Sequence, residues 1–228
     1  VLVYSAHGVS PQVRQAAADR EHQTIDATCP LVSKVHHEVK RLVTEGYEIV
    51  MIGHAGHVEV EGTMGHAPEA MHLVETIEDV AKLQVETPEK LGCVTQTTLS
   101  VDDTRGVMDA LKERFPKIRL PKRDDICYAT QNRQDAVKAL AKVAHLVLVV
   151  GAPESSNSKR LVEVAARCGT ASKLIQSAED VDPSWLDGAQ CVGVTAGASS
   201  PEFLVEQLVE RLQQLGGEST VVNSFDEV

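Results

Sequence analysis

Two cysteines stand at matched positions in this chain, and the match constrains the fold more than any composition figure. Gly53 follows Cys29 by 24 residues, and Gly151 follows Cys127 by the same 24. Each cysteine precedes a helix-like stretch, "SKVHHEVKRLVTEG" or "NRQDAVKALAKVA". Each helix leads into an apolar run that ends on the glycine, "YEIVMIG" (47–53) or "LVLVVG" (146–151). A short run that is apolar at every position reads as a strand covered on both faces, as in parallel sheets. Gly46 sits where a helix C-cap needs a left-handed residue. Helix and strand alternating in this way predict α/β architecture with small parallel sheets.

The repeat continues past the glycines. "HAGHVEVEGT" follows one and "APESSNSKR" the other; later "VTQTTLS" (94–100) matches "VTAGASS" (194–200), and each leads into a further helix. "CVGVTAG" (191–197) supplies another strand-like run. The chain therefore divides into two full units, 29–126 and 127–213, followed by a tail, 214–228. Residues 1–28 hold "LVYSAHGVSPQVRQAA", which matches the last strand, polar loop and helix of such a unit. They read as the remnant of a third copy. The repeat alone predicts a third cysteine in the front of that copy. The plainer alternative is an ordinary extra strand and helix.

Equivalent cysteines in pseudo-symmetric units are expected to face a common centre. A thiol at a helix start feels the positive end of the macrodipole, which favours the thiolate that binds metal or attacks electrophiles. Three such thiolates hold an iron–sulfur cluster with one iron left open as a Lewis acid. Cys93 and Cys191 lie in strand-like runs, and Cys168 precedes Gly169 at a helix end. These three read as small buried hydrophobes.

The loops after the strands carry the polar chemistry, and ligands of open α/β sheets bind at that end. His54, His57, Glu59 and Glu61 cluster after the first central strand. Histidine donates to phosphate oxygens, and a carboxyl passes protons. For His54 and Glu61 a solvated loop is the stronger reading. Ser155, Ser156 and Asn157 stand at a strand-to-helix junction, where free N–H groups suit an anion, although simple helix capping explains them as well. His7, Thr97, Thr98 and Ser199 fill the corresponding loops. Polar loops without strong positive charge predict one central pocket for a small anion. No Walker A or G-x-G-x-x-G sequence indicates a nucleotide.

Composition narrows the class. A formal net charge of −11 argues against general nucleic-acid binding. Five cysteines without framework spacing fit a reducing cytoplasm better than a disulfide scaffold. No apolar run approaches the roughly 20 residues that span a bilayer. The one basic stretch, "KERFPKIRLPKR" (112–123), reads as a solvated linker. Its rival reading is a docking site for an acidic electron carrier such as ferredoxin or flavodoxin, through Lys117, Arg119 and Lys122.

With "SAHGVS", "DATCPLVSKVH", "GHAGHVEVEGTMG", "TQTTLSVDDT", "DDICYATQNRQ", "SSNS" and "VTAGAS" in this order, the chain resembles the 4-hydroxy-3-methylbut-2-enyl diphosphate reductase family, which closes the non-mevalonate isoprenoid pathway. The resemblance runs from residue 1 to about 217. It implies a trefoil of three α/β units around a [4Fe–4S] cluster held by three cysteines, of which Cys29 and Cys127 match the second and third. It implies that the substrate hydroxyl meets the open iron and leaves as water, giving isopentenyl and dimethylallyl diphosphates. His7 and His57 match diphosphate-binding histidines, and Ser155, Ser156, Asn157 and Ser199 match a polar diphosphate cradle. Glu59 matches the proton-relay carboxylate, and Thr97 the threonine beside it near the substrate hydroxyl. The first cluster cysteine and another substrate-binding histidine would precede residue 1, so this chain alone is expected to hold a cluster poorly. Two other classes stay open: an anion-binding fragment without a cluster, and a structural zinc protein using Cys29 and Cys127.

Overall fold

The computed structural model describes residues 1–121 and 125–218. Lys122 of the basic stretch and residues 219–228 of the tail lie outside the described residues. The contacts divide the chain into two compact units, Val1–Cys127 and Tyr128–Val228.

The first unit holds two parallel sheets. β1 (Leu2–Tyr4) pairs with β2 (Thr24–Asp26), with α1 (Pro11–Asp19) between them. Cys29 then opens α2 (Pro30–Thr44). The second sheet centres on β3 (Glu48–Ile52), flanked by β4 (Met71–Val74) and β5 (Leu91–Thr95), both parallel to it. Three helices complete the unit: α3 (Val58–Met64), α4 (Ile77–Lys82) and α5 (Val101–Arg114).

Why the centre of this sheet is apolar on both faces is clear from what covers it. Val50, Ile52, Leu91 and Cys93 pack toward Val107 and Leu111 of α5 and Val80 of α4. Ile49, Met51 and Val94 point the other way, toward Val35, Val39 and Leu42 of α2. Successive strand residues alternate faces, so two covering layers require an unbroken apolar run.

The second unit repeats the plan. α6 (Tyr128–Leu140) leads to β6 (Leu146–Val150), flanked by parallel β7 (Ala171–Ile175) and β8 (Val192–Ala196). Val147 and Val149 pack with Val137 of α6 and with Leu161 and Val164 of α7 (Ser156–Arg167). Leu146, Leu148 and Val150 face Leu208 of α8 (Glu202–Gln214). In both sheets the central strand comes first in sequence, in orders β4-β3-β5 and β7-β6-β8. That is the repeat of the sequence realised as topology.

The strands at 47–53, 146–151 and 191–197 and the helices after Cys29 and Cys127 form as read. α6 begins at once after Cys127, earlier than the periodic stretch suggested. One assignment fails. Cys93 is buried as expected, but Cys168 and Cys191 are exposed. Cys168 is the C-cap of α7, and Cys191 lies just before β8, so neither has a covering layer. Among the described residues no helix is long and apolar enough to cross a membrane.

Gly46 and Gly8 both adopt left-handed backbone, φ +78° and +74°. A Cβ at Gly46 would meet only the tip of Lys90, at 3.6 Å, whereas one at Gly8 would lie 2.6 Å from Cε1 of His36. Gly46→Ala should therefore cost about 1–2 kcal/mol, the left-handed penalty alone. Gly8→Ala should cost a further ~1–3 kcal/mol for the displaced core side chain. Urea unfolding of the two variants measures the difference, and equal losses would contradict the close approach.

Candidate functional site

Parallel pairing places the carboxyl ends of β1 and β2 together, and likewise those of β3 and β5. The loops leaving these ends carry the residues picked from the sequence. Within the first unit a chain of contacts links them. The Cys29 N–H donates to the Ala6 carbonyl at 3.0 Å, and the Cys127 N–H to the Thr97 carbonyl at 2.9 Å. Ala6 lies two residues past the end of β1, and Thr97 two residues past the end of β5. The internal repeat therefore holds down to a single hydrogen bond at each cysteine.

The loop after β1 continues to His7, whose ring meets that of His57 edge-on, with centroids 5.5 Å apart. The same loop lies against α3, where a Cβ on Gly62 would sit 3.1 Å from the Gly8 carbonyl oxygen. His57 is the N-cap of α3, and its Nδ1 accepts the Glu59 N–H at 3.2 Å. Burial, followed by the neighbouring His7 and His54, holds His57 below the usual imidazole range. The ring is neutral at physiological pH, and with Nδ1 accepting, its proton resides on Nε2 as a donor.

Glu59 is 2% exposed. Its Oε1 accepts the Thr97 N–H at 2.7 Å, and its Oε2 accepts the Thr97 hydroxyl at 2.9 Å. Burial pushes its pKa up to about 7, although both Thr97 bonds pull it down. A carboxyl that exchanges its proton near neutral pH suits acid–base work.

The remaining loop residues serve as supports. His54 Nδ1 pairs with Glu75 at 3.1 Å, and Glu61 is exposed, in line with the solvated reading of both. Gln96 escaped the sequence reading. It is fully buried, takes the His54 N–H on Oε1 at 3.0 Å and donates to Thr98 Oγ1 at 2.9 Å. It ties the loop after β3 to the loop after β5. A glutamine between threonines gives no periodic cue, so only its burial reveals it.

Cys29 and Cys127 are free thiols of intermediate exposure. Cys29 is an N-cap with no side-chain capping bond, while Pro30 takes the first helical position, where a missing N–H costs nothing. Both thiols suit a soft metal centre in kind. Among the described residues, no three His, Cys, Asp or Glu side chains gather as a metal-holding group.

In the second unit, Ser155 is the N-cap of α7. Its hydroxyl accepts the Ser158 N–H at 3.2 Å and the Ser158 hydroxyl at 3.0 Å. Capping thus accounts for Ser155. Asn157 differs: it is 6% exposed, and neither amide atom of its side chain has a partner. The adjoining loop after β8 is fastened by Gly197 N–H and Ser200 Oγ, both donating to the Val150 carbonyl at 2.8 Å. Ser199 on that loop is exposed. In the basic stretch, Lys117 pairs with Glu89, Arg119 pairs with Glu45 at 2.7 Å, and Arg114 donates to the Leu83 carbonyl at 2.7 Å. Internal partners offset much of its charge.

Comparison with known proteins bears on this geometry. Residues 1–213 match the family model described as LytB protein. The chain is 58% identical over 223 residues to a 4-hydroxy-3-methylbut-2-enyl diphosphate reductase of Nitrosomonas europaea, covering 96% of this chain and 69% of that protein. Reductases of the same name from Bordetella pertussis and Escherichia coli O1:K1 are 61% and 59% identical, and the chain covers 67% and 70% of their lengths. A solved structure of the Plasmodium falciparum E-1-hydroxy-2-methyl-but-2-enyl-4-diphosphate reductase superposes with a TM-score of 0.90 at 41% identity, covering 93% of this chain and 67% of that one.

The Glu59 assignment has a thermodynamic consequence. The folded state binds this proton more tightly than the unfolded state, where the group titrates near 4.5. Its contribution to stability is complete below 4.5 and is lost as pH rises through about 7. Glu59→Gln removes this dependence. The stability of the variant relative to wild type should improve by ~3 kcal/mol from acid to mildly alkaline pH. Chemical denaturation across that range tests it, and a constant difference would contradict the buried carboxyl.

Proposed function

The chain belongs to the LytB protein family, and from that premise we propose that it reductively dehydroxylates 4-hydroxy-3-methylbut-2-enyl diphosphate to isopentenyl and dimethylallyl diphosphates. The observation that carries the chemical part of this reading is the buried Glu59–Thr97 pair.

Loss of the substrate hydroxyl as water consumes two electrons and two protons. Cys29 and Cys127 are the residues of this chain that would hold a [4Fe–4S] cluster, as soft thiols tethered to the loops that carry His7 and Thr97. Such a cluster supplies electrons and a Lewis-acidic iron for the hydroxyl oxygen. The protons fall to Glu59, whose burial keeps a proton available near neutral pH. Thr97 holds the carboxyl at both oxygens and fixes its orientation. His57 offers the Nε2 proton to a diphosphate oxygen, and His7 beside it is assigned the same ligand. In the second unit Ser155, Ser156, Asn157 and Ser199 are assigned to diphosphate oxygens. The unpartnered, buried amide of Asn157 supports this, because such a group is costly without a ligand. An acidic carrier such as ferredoxin or flavodoxin is the proposed electron source.

A second reading has one observation in its favour. Among the described residues, no three His, Cys, Asp or Glu side chains gather to hold a metal. On this reading the chain by itself binds a small diphosphate without turnover. Anaerobic reconstitution separates the two. About four irons per chain with broad charge-transfer absorbance supports the reductase. Colourless protein that still binds diphosphate supports the second reading.

Glu59→Gln tests the proton role. With a reduced dye as electron source, turnover should fall about 100-fold while diphosphate affinity is retained. Independently of turnover, an infrared band from a protonated carboxyl should be present in wild type near neutral pH and absent in the variant. Wild-type turnover by the variant, or no such band, would overturn the role.

A further inference from the structure

Asp125 stands two residues before Cys127, in the "DDIC" sequence, and has no place in the chemistry above. Its side chain is 5% exposed. Two groups hold it: Lys34 Nζ lies 3.0 Å from Oδ1, and the backbone N–H of Thr95 at the end of β5 also bonds the carboxyl. Lys34 belongs to α2, five residues beyond Cys29. This ion pair therefore joins the approach to one cysteine with the helix opened by the other.

The acidic residue that precedes the other cysteine behaves differently. Asp26, three residues before Cys29, accepts the Thr28 N–H at 3.0 Å and pairs with Arg14 of α1 at 2.7 Å. Its side chain is 44% exposed, and its partner lies on the helix preceding its own cysteine. Arg14–Asp26 steadies the 1–28 segment; Lys34–Asp125 ties the first helix of the 29–126 unit to the end of that unit, just before Cys127. A buried carboxylate without its cation is strongly unfavourable, so the burial itself pulls Lys34 and the 125–127 segment together.

The geometry points to Lys34 and Asp125 as positioning residues that fix Cys127 against the helix bearing Cys29. The pair acts with the Cys127 N–H bond to Thr97, which holds the same segment from the side of β5. The inference rests on the reading of Cys29 and Cys127 as joint ligands.

Alkylation of each cysteine in the native full chain, followed by mass spectrometry, tests the inference without any bound cluster. Lys34→Met and Asp125→Asn should each speed alkylation of Cys127 about tenfold, as local opening becomes easier. Cys168 in the second unit should be unaffected, and Lys34→Arg should restore protection. A purely electrostatic influence on the thiol gives the opposite pattern: losing the carboxylate speeds the reaction, and losing the cation slows it. That outcome, or no change in either variant, overturns the inference. Should Asp125→Asn not fold, Lys34→Met against Lys34→Arg decides alone. The ligation reading is tested separately through thiolate–Cd²⁺ charge-transfer absorbance in a Cys168→Ser/Cys191→Ser background. If Cys29→Ser and Cys127→Ser leave that band unchanged, joint ligation fails, while the alkylation ratios still judge the positioning pair.

Discussion

Parallel pairing of strands buried on both faces is the constraint on which the rest depends. A parallel strand needs a crossover to return, so every functional loop leaves from the same end of its sheet. In the first unit this gives His7 after β1, Cys29 after β2, His57 and Glu59 after β3, and Thr97 after β5. Apart from His57 and Glu59, these residues are far from one another in sequence. The unbroken apolar strands, with Ile49, Val50, Met51 and Leu91 almost wholly excluded from solvent, are what hold their loops in register.

Burial sets the chemistry as well as the scaffold. Glu59 sits in the first turn of α3, where the helix dipole would favour its ionised form. Removal from water outweighs that, as well as the two Thr97 hydrogen bonds, and leaves a carboxyl that titrates near neutrality. His57 is affected in the complementary sense. Burial and two neighbouring imidazoles keep it neutral, and the backbone of Glu59 selects its tautomer. A proton donor and a neutral hydrogen-bond donor therefore arise side by side from one short helix start.

The two cysteine segments show how a duplicated plan diverges. The backbone bond two residues past the strand end is the same in both copies. A carboxylate precedes each cysteine, three residues before Cys29 and two before Cys127; Asp26 is partly open to solvent and pairs with the helix before its cysteine, whereas Asp125 is buried and pairs with α2, the first helix of its own unit. Sheet geometry is shared because apolar pattern specifies it. Charge pairing differs because each copy has different neighbours.

The repeat spacing, the apolar runs and the polar loops were legible in the amino-acid order, because strand period, helix capping and parallel burial act over a few residues. The central strands, the helices at Cys29 and Cys127 and the pairing of Glu59 with Thr97 belong to that legible part, the last through family resemblance. Exposure of Cys168 and Cys191, the bridging role of Gln96 and the reach of Lys34 to Asp125 were not legible. Each depends on which surface a neighbouring element covers, and a partner 91 residues away leaves no local pattern. The amino-acid order by itself determined which segments become strands, helices and polar loops. Tertiary packing alone decided which polar groups lost their water, and with it which carboxyl holds a proton, which imidazole stays neutral and which ion pair joins the two thiol-bearing segments.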